Sequence, residues 1–185
     1  NDSSNWVTSL DESGSTPGIE NSIYNVPSYD RSVLIINEIM YDPETNNSEY
    51  VEFYNLSSNH INIGGWKFED EYGNTNKLIE TSFVIQPNEY FILLSDSSAL
   101  INYNLFEYQN KNVVGESSLG LVNTGELILL KDVRGNVIDS VFYSDDWNNR
   151  NIASSKGKSL ERINPSLNGN DPLNWSTSVN SIGGT

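Results

Sequence analysis

The 185-residue chain has no cysteine, one histidine and one methionine. Without cysteine there are no disulfides and no thiolate metal ligands, and composition says nothing of the redox compartment. His60 alone excludes His-rich zinc sites, and Cys-based nucleophilic catalysis is excluded with the cysteines. Basic residues are scarce: 10 Lys and Arg stand against 25 Asp and Glu, for a formal charge of −15. That field repels phosphate backbones and anionic bilayers, so nucleic acid is not an expected partner. No apolar run reaches the roughly 18 residues that a spanning helix needs, so membrane insertion is not expected. The polar opening lacks the basic and apolar regions of a signal peptide, and the chain reads as an excised piece of a longer protein. G-x-S-x-G, P-loop and dinucleotide fingerprints are absent as well.

What is present is organised around residues 33–56. Val33–Met40 is dense in branched aliphatics, too short for a typical helix, and reads as a strand buried on both faces. Glu49–Leu56 alternates. Val51 and Phe53 fall on one side and Tyr50, Glu52 and Tyr54 on the other, the pattern of a half-buried strand. Asp42-Pro43 and Asn46-Asn47 supply turn chemistry between them. Further strands are expected at His60–Ile63, Trp66–Asp70, Lys77–Ile79, Ser82–Ile85, Tyr90–Ser95, Leu119–Val122, Glu126–Lys131, Val137–Tyr143, Ser159–Ile163 and Leu173–Ser178. A single helical turn is expected at Ser98–Tyr103, and a polar loop around Trp147 at 144–157. The Asp-x-x-Gly-Asn runs at 70–74 and 132–136 read as hairpin turns. Many short strands between turn signals mean an all-β sandwich or barrel.

Residues 1–32 taken alone would be a linker. However, Asn1-Asp2-x-x-Asn5-Trp6-x-Thr8-Ser9 recurs as Asn170-Asp171-x-x-Asn174-Trp175-x-Thr177-Ser178. The same register aligns Gly14 with Gly183 and Thr16 with Thr185, eight identities over sixteen positions at an offset of 169. Self-similarity at a fixed offset marks repeats. Residues 1–28 are therefore expected to be an overhang resembling the end of a preceding repeat, with the domain itself at 29–185.

The run IINEIMYDP at 35–43, EYVEFYNLS at 49–57 and INIGGWKF at 61–68 resembles the opening of the lamin tail domain, the globular C-terminal domain of intermediate-filament lamins. The resemblance continues through FVIQPNEYFILLSD at 83–96, LVNTGELILLKDVRGNVIDSVFY at 121–143, GKSLERINP at 157–165 and DPLNWSTS at 171–178. Its ordered markers are Asn37-Glu38, Glu49-x-x-Glu52, Gly65-Trp66, Asn123-x-Gly125-Glu126, Asp132-x-x-Gly135 and Asn174-Trp175. The resemblance implies an immunoglobulin-like β-sandwich and no catalysis. Bacterial members of the family are surface and secreted proteins, which implies a secreted or cell-surface, bacterial setting here.

Candidate residues follow. Trp66, Phe68, Val51, Phe53 and Trp175 are expected in the core, since large aromatics dominate burial in sandwiches. Trp6 and Trp147 are candidate exposed contacts. Glu38 and Glu52, on adjacent strands, could form an acid–base pair, but a structural role is expected. Asp42, Glu44 and Glu49 are candidate calcium ligands, and Asp145-Asp146 a lesser cluster; neither has EF-hand spacing, and no other cofactor is implied. The function expected is a non-catalytic structural or interaction module in a tandem array, with neighbouring repeats, a protein or a surface glycan as partner. The alternative is a carbohydrate-binding module using Tyr72, Tyr103, Tyr108 and Trp147, or an accessory domain of a larger extracellular hydrolase.

Overall fold

The computed structural model describes residues 6, 8–24, 28–73, 75–77, 83–105, 112–114 and 118–179. Leu34–Met40 forms β1, buried on both faces as its aliphatic run requires, and Tyr50–Asn55 forms β2. Short strands follow at Ile61–Asn62 (β3), Lys67–Asp70 (β4), Thr75–Lys77 (β5) and Val84–Ile85 (β6), then Tyr90–Leu94 (β7). A five-residue helix, α1, spans Ser98–Asn102; Asn112–Val114 is β8, Gly125–Lys131 β9, Val137–Ser144 β10, Leu160–Arg162 β11 and Trp175–Thr177 β12. Among the described residues these assemble as a six-stranded sheet in the order β12-β11-β1-β2-β7-β8 and a four-stranded sheet in the order β10-β9-β4-β5, with β3 and β6 paired apart. All pairs are antiparallel except β7 with β8. The two sheets face one another across a single core, so the expected all-β sandwich forms.

From the six-stranded sheet, Leu34, Ile36, Ile39, Val51, Phe53, Phe91 and Leu93 enter that core; from the other come Phe68, Ile128, Leu130, Ile138, Val141 and Tyr143. Phe53 and Phe68 meet edge to face across the gap, with ring centroids 6.4 Å apart. Trp66 is fully buried at the end of the sandwich, where Tyr29 packs against it at 5.1 Å. Trp175 and Leu160 close the opposite flank.

Three expectations need correction. β2 is not half-buried: Tyr50 and Glu52 are as inaccessible as Val51 and Phe53. For Tyr50 the reason is a second, smaller core on the outer face, where Ala99 and Leu105, flanked by Leu100 and Tyr103, cover Met40, Tyr50, Ile92 and Leu94. Leu119–Val122 is not a strand: Gly120 turns left-handed at φ 64° and the segment joins no ladder. Its amides go to side chains instead: Gly120 N–H donates to Glu49 Oε2 at 2.9 Å and Val122 N–H to Glu126 Oε1 at 2.8 Å. Leu173–Ser178 is not one strand, because Pro172–Asn174 makes a 3₁₀ turn before β12. Of the strands expected at Lys77–Ile79 and Ser82–Ile85, residues 78, 79 and 82 lie outside the described residues.

Two hairpin details come directly from sequence. Asp132 opens the β9–β10 turn by accepting the amides of Arg134 and Asn136 at 2.9 and 2.8 Å, an Asx arrangement that Gly135 completes with φ of 82°. Gly125 starts β9 at φ 119°, where a β-carbon would collide with the Tyr143 carbonyl.

The sheets are joined at one corner by polar groups. β1 pairs with β11 only at Glu38 and Ile39, and a bulge follows Ile36. Upstream, the chain leans on β10: Ser32 N–H donates to the Ile138 carbonyl at 2.7 Å. Between these two alignments the Ile36 amide donates to Asp139 Oδ2 at 2.8 Å, and its carbonyl accepts Arg162 Nη1 at 3.1 Å. Arg162 also bonds Asp139 at 3.4 Å and the Leu167 carbonyl at 2.6 Å. Burial moves both ionisable groups toward their neutral forms, raising Asp139 and lowering Arg162 against their mutual attraction. Such a pair adds little net stability but is costly to halve. Asp139→Ala should therefore lose about 3–5 kcal/mol in urea denaturation, and Asp139→Leu with Arg162→Met should lose far less than the two singles combined. Additive losses would show that the two side chains act independently.

Candidate functional site

The outer face of the six-stranded sheet carries an unusual row of acids. Register places Glu38 directly opposite both Glu52 on β2 and Glu161 on β11. Val51, Phe53 and Leu160 point into the sandwich core, so alternation turns Glu52 and Glu161 outward. The extra residue at the β1 bulge, Asn37, lets Glu38 share their face while Ile36 and Ile39 both stay in the core. Glu38 is 2% and Glu52 4% exposed.

Two buried, adjacent carboxylates cannot both hold charge cheaply. Burial, with the Glu38 charge second, raises Glu52 to about 8; the Asn37 amide, donating to Glu52 Oε1 at 2.9 Å, works the other way. Glu38 Oε1 accepts the Tyr50 hydroxyl at 2.5 Å. Burial and Glu38 hold Tyr50 well above the ordinary phenol range, so it stays a donor. Tyr103 packs edge-on against Tyr50 at 5.1 Å and donates to the Ser48 carbonyl at 3.0 Å. The row thus has the acid–base composition of a catalytic dyad. Neither Glu38 nor Glu52 lines the cavities of about 290, 840 and 260 Å³ found elsewhere on the molecule.

The loop acids have partners of their own. Asp42 pairs with Lys156 at 2.8 Å and accepts from the Asn123 amide at 3.3 Å. Glu44 is exposed and leans on Gly157. Glu49 turns to the amides of Gly120 and Leu121, and burial raises its pKa against those bonds. Asp146 meets Arg150 at 3.7 Å on the surface. Among the described residues no group of three acids, histidines or cysteines is placed to hold a metal ion.

The tryptophans divide differently from the expectation. Trp147, a candidate exposed contact, is half-buried, because the Asp145–Trp147 3₁₀ turn folds it back onto Trp175 with ring centroids 6.0 Å apart. Trp175 donates Nε1–H to the Gly169 carbonyl at 2.8 Å. Trp6 is 81% exposed and lines a groove with Leu10, Gly65, Lys67, Val133 and Arg134. His60 is exposed in its turn.

A family profile, the lamin tail domain, matches residues 27–145, which takes in both sheets from β1 to β10. The chain belongs to the lamin tail domain family. This is a non-enzymatic, immunoglobulin-like family. No curated protein matches the chain. In this lamin tail domain the residues that carry the resemblance in sequence are chiefly hydrogen-bonding ones: Asn37 and Glu38 at the bulge, Glu49 and Glu126 on the 120–122 amides, Asp132 in the hairpin, and, beyond the matched residues, Asn174, which bonds the Asn164 amide at 2.9 Å and the Asn164 carbonyl at 3.0 Å. Sequence reasoning missed Asn55, fully buried and donating to the carbonyls of Asn59, Ile85 and Gln86. It also missed Asp139 and Arg162. The available signal was Asp139, the one charged residue of β10; β11 carries two charges in three residues, and nothing in the sequence marks Arg162 as the buried one.

Glu52 sets a pH dependence. Its folded pKa near 8 lies above its ordinary value of 4.5, so between those limits the native state binds more protons than the unfolded chain. Its contribution to stability therefore declines as pH rises from about 4.5 to 8. Glu52→Gln keeps the acceptor for Asn37. It should be more stable than wild type at pH 8.5, by on the order of 1–3 kcal/mol, with the gap closing toward pH 4.5. Parallel urea titrations at the two pH values measure this; a constant gap would mean that Glu52 ionises freely in the folded protein.

Proposed function

We propose that this lamin tail domain is a structural and interaction module of a secreted or cell-surface protein, one unit of a tandem array. It carries no catalytic centre in this reading, and its partners are neighbouring domains and other proteins. The observation behind the reading is where the polar side chains that carry the resemblance go. Glu38, Glu49, Glu126, Asp132 and Asn174 each hold a hydrogen bond that keeps strands or turns in place. A scaffold that commits its acids internally presents its loops and edges for contact. The charge of −15 keeps such units soluble when strung in series and disfavours nucleic acid. No helix among the described residues is long and apolar enough to cross a membrane.

The carbohydrate-binding alternative calls for a line of exposed aromatic faces. Of its four candidates, Tyr72 is exposed, Tyr103 and Trp147 are half-buried against Tyr50 and Trp175, and Tyr108 lies outside the described residues. Calcium, if it binds, would need Asp42 to leave Lys156.

Two measurements test the proposal. Protease added to intact source cells should release peptides of this chain; full protection until lysis would rule out a surface location. Electrophoresis through gels containing structural polysaccharides should show unretarded migration, whereas retardation by one polymer would shift the reading to carbohydrate binding.

A further inference from the structure

The duplicated Asn-Asp-x-x-Asn-Trp-x-Thr-Ser segment can be read position by position, because its second copy is seen in place. Asn170 accepts the Phe142 amide at 2.7 Å and donates to the Ser140 carbonyl at 2.9 Å, fastening the segment to β10. Asp171 caps the 3₁₀ turn by accepting the Leu173 amide at 3.0 Å. Asn174 ties the turn to the Asn164 backbone, and Trp175 fills the flank of the core against Trp147. Thr177 accepts the Asn149 amide at 2.8 Å and donates to Asn148 at 2.9 Å. Ser178 is buried, and its amide reaches the Ser159 carbonyl at 2.9 Å. These six positions are the six that residues 1–9 repeat. The three that differ are Pro172, Leu173 and Ser176: the first two are exposed, Leu173 at 87%, and the third is half-exposed. Chance similarity in an Asn- and Ser-rich chain would not sort identities by contact.

In this domain the slot is already filled by the second copy. Residues 170–178 occupy the β11 edge, and Trp6 stands 81% exposed near the Gly65 and Val133–Gly135 turns. The intervening stretch is fastened there by Arg134 Nη2, which donates to the Ile23 carbonyl at 3.4 Å. We propose that residues 1–9 are a second closing strand, which completes a second lamin tail domain by pairing with that domain's equivalent of β11 and placing Trp6 where Trp175 sits here. This rests on the tandem-array reading, with the preceding domain as the natural occupant of the pair. Closure then requires the last strand of one unit to be covalently continuous with the first strand of the next through residues 10–32, which fixes neighbours at short range.

Three variants of the full chain test this. Pro172→Ser with Leu173→Ser and Ser176→Val converts residues 170–178 into a copy of residues 1–9. Its thermal midpoint should stay within about 3 °C of wild type, while Asn174→Ala falls further. If the triple variant falls as far as Asn174→Ala, residues 1–9 are not a competent closing strand and the proposal is overturned. Trp6→Ala alone should leave the midpoint unchanged; a loss would place Trp6 in the service of its own domain and also overturn it. Trp175→Ala loosens the resident strand, so the front segment of one copy should enter the vacated slot of another. Sedimentation should show association that disappears when Trp6→Ala is added. A folded, monomeric Trp175→Ala protein, indifferent to Trp6, would count against the proposal; should that variant not fold, the triple variant still decides. None of these outcomes depends on what precedes residue 1, so a parent protein without a preceding lamin tail domain would refute the array and leave strand exchange between copies as the use of the segment.

Discussion

The backbone of Ile36 is the point on which the sandwich turns. β1 pairs with β2 along its length; just upstream the chain bonds β10 of the facing sheet through the Ser32 amide and the Ile138 carbonyl, and downstream β1 also pairs with β11. A strand that changes alignment leaves an amide and a carbonyl without ladder partners, and buried groups of that kind cannot stay unpaired. Asp139 takes the amide and Arg162 the carbonyl, and the two bond each other. The clamp is held in turn by the 165–170 loop, whose Leu167 carbonyl accepts Arg162 and whose Gly169 is packed against the guanidinium. Gly169 also receives the Trp175 indole. The corner of the sheets, the closing strand and the core flank are therefore one connected arrangement.

The same device recurs at other irregular places. Where Leu119–Val122 leaves the sheets, Glu49 and Glu126 supply acceptors; where β2 ends, Asn55 serves three carbonyls; where the closing turn forms, Asn174 bridges two loops. Short strands give few ladder bonds, and side chains make up the number. This is why a chain so rich in asparagine and acid folds around a compact core. It also bears on function, since acids that resemble a catalytic or metal-binding set in sequence are engaged in local hydrogen bonds in the folded chain.

Much of the fold was legible beforehand. The aliphatic run of β1, the alternation of β9, the Asp-x-x-Gly-Asn hairpin and the inward Trp66 and Phe68 all follow from short-range rules, because strand period and turn chemistry are set by neighbours in sequence. The failures share a cause as well. Tyr50 and Glu52 alternate like wet residues, but α1 and the residues after it cover Tyr50, and Glu52 is buried beside Asn37 and Glu38. Leu119–Val122 alternates like a strand, but Glu49 and Glu126 reach its amides first. Trp147 sits among polar residues, yet its 3₁₀ turn lays it on Trp175. In each case a distant segment decided the environment.

The sequence by itself determined the class of fold, the family and the duplication of the closing segment, since each is written in the order of residue types along the chain. Only the tertiary structure decided what those residues do. Burial and hydrogen-bond partnership depend on which segments meet, so the pairing of Glu38 with Glu52, the clamp at Ile36 and the sorting of duplicated residues by contact became visible only once the strands were placed side by side.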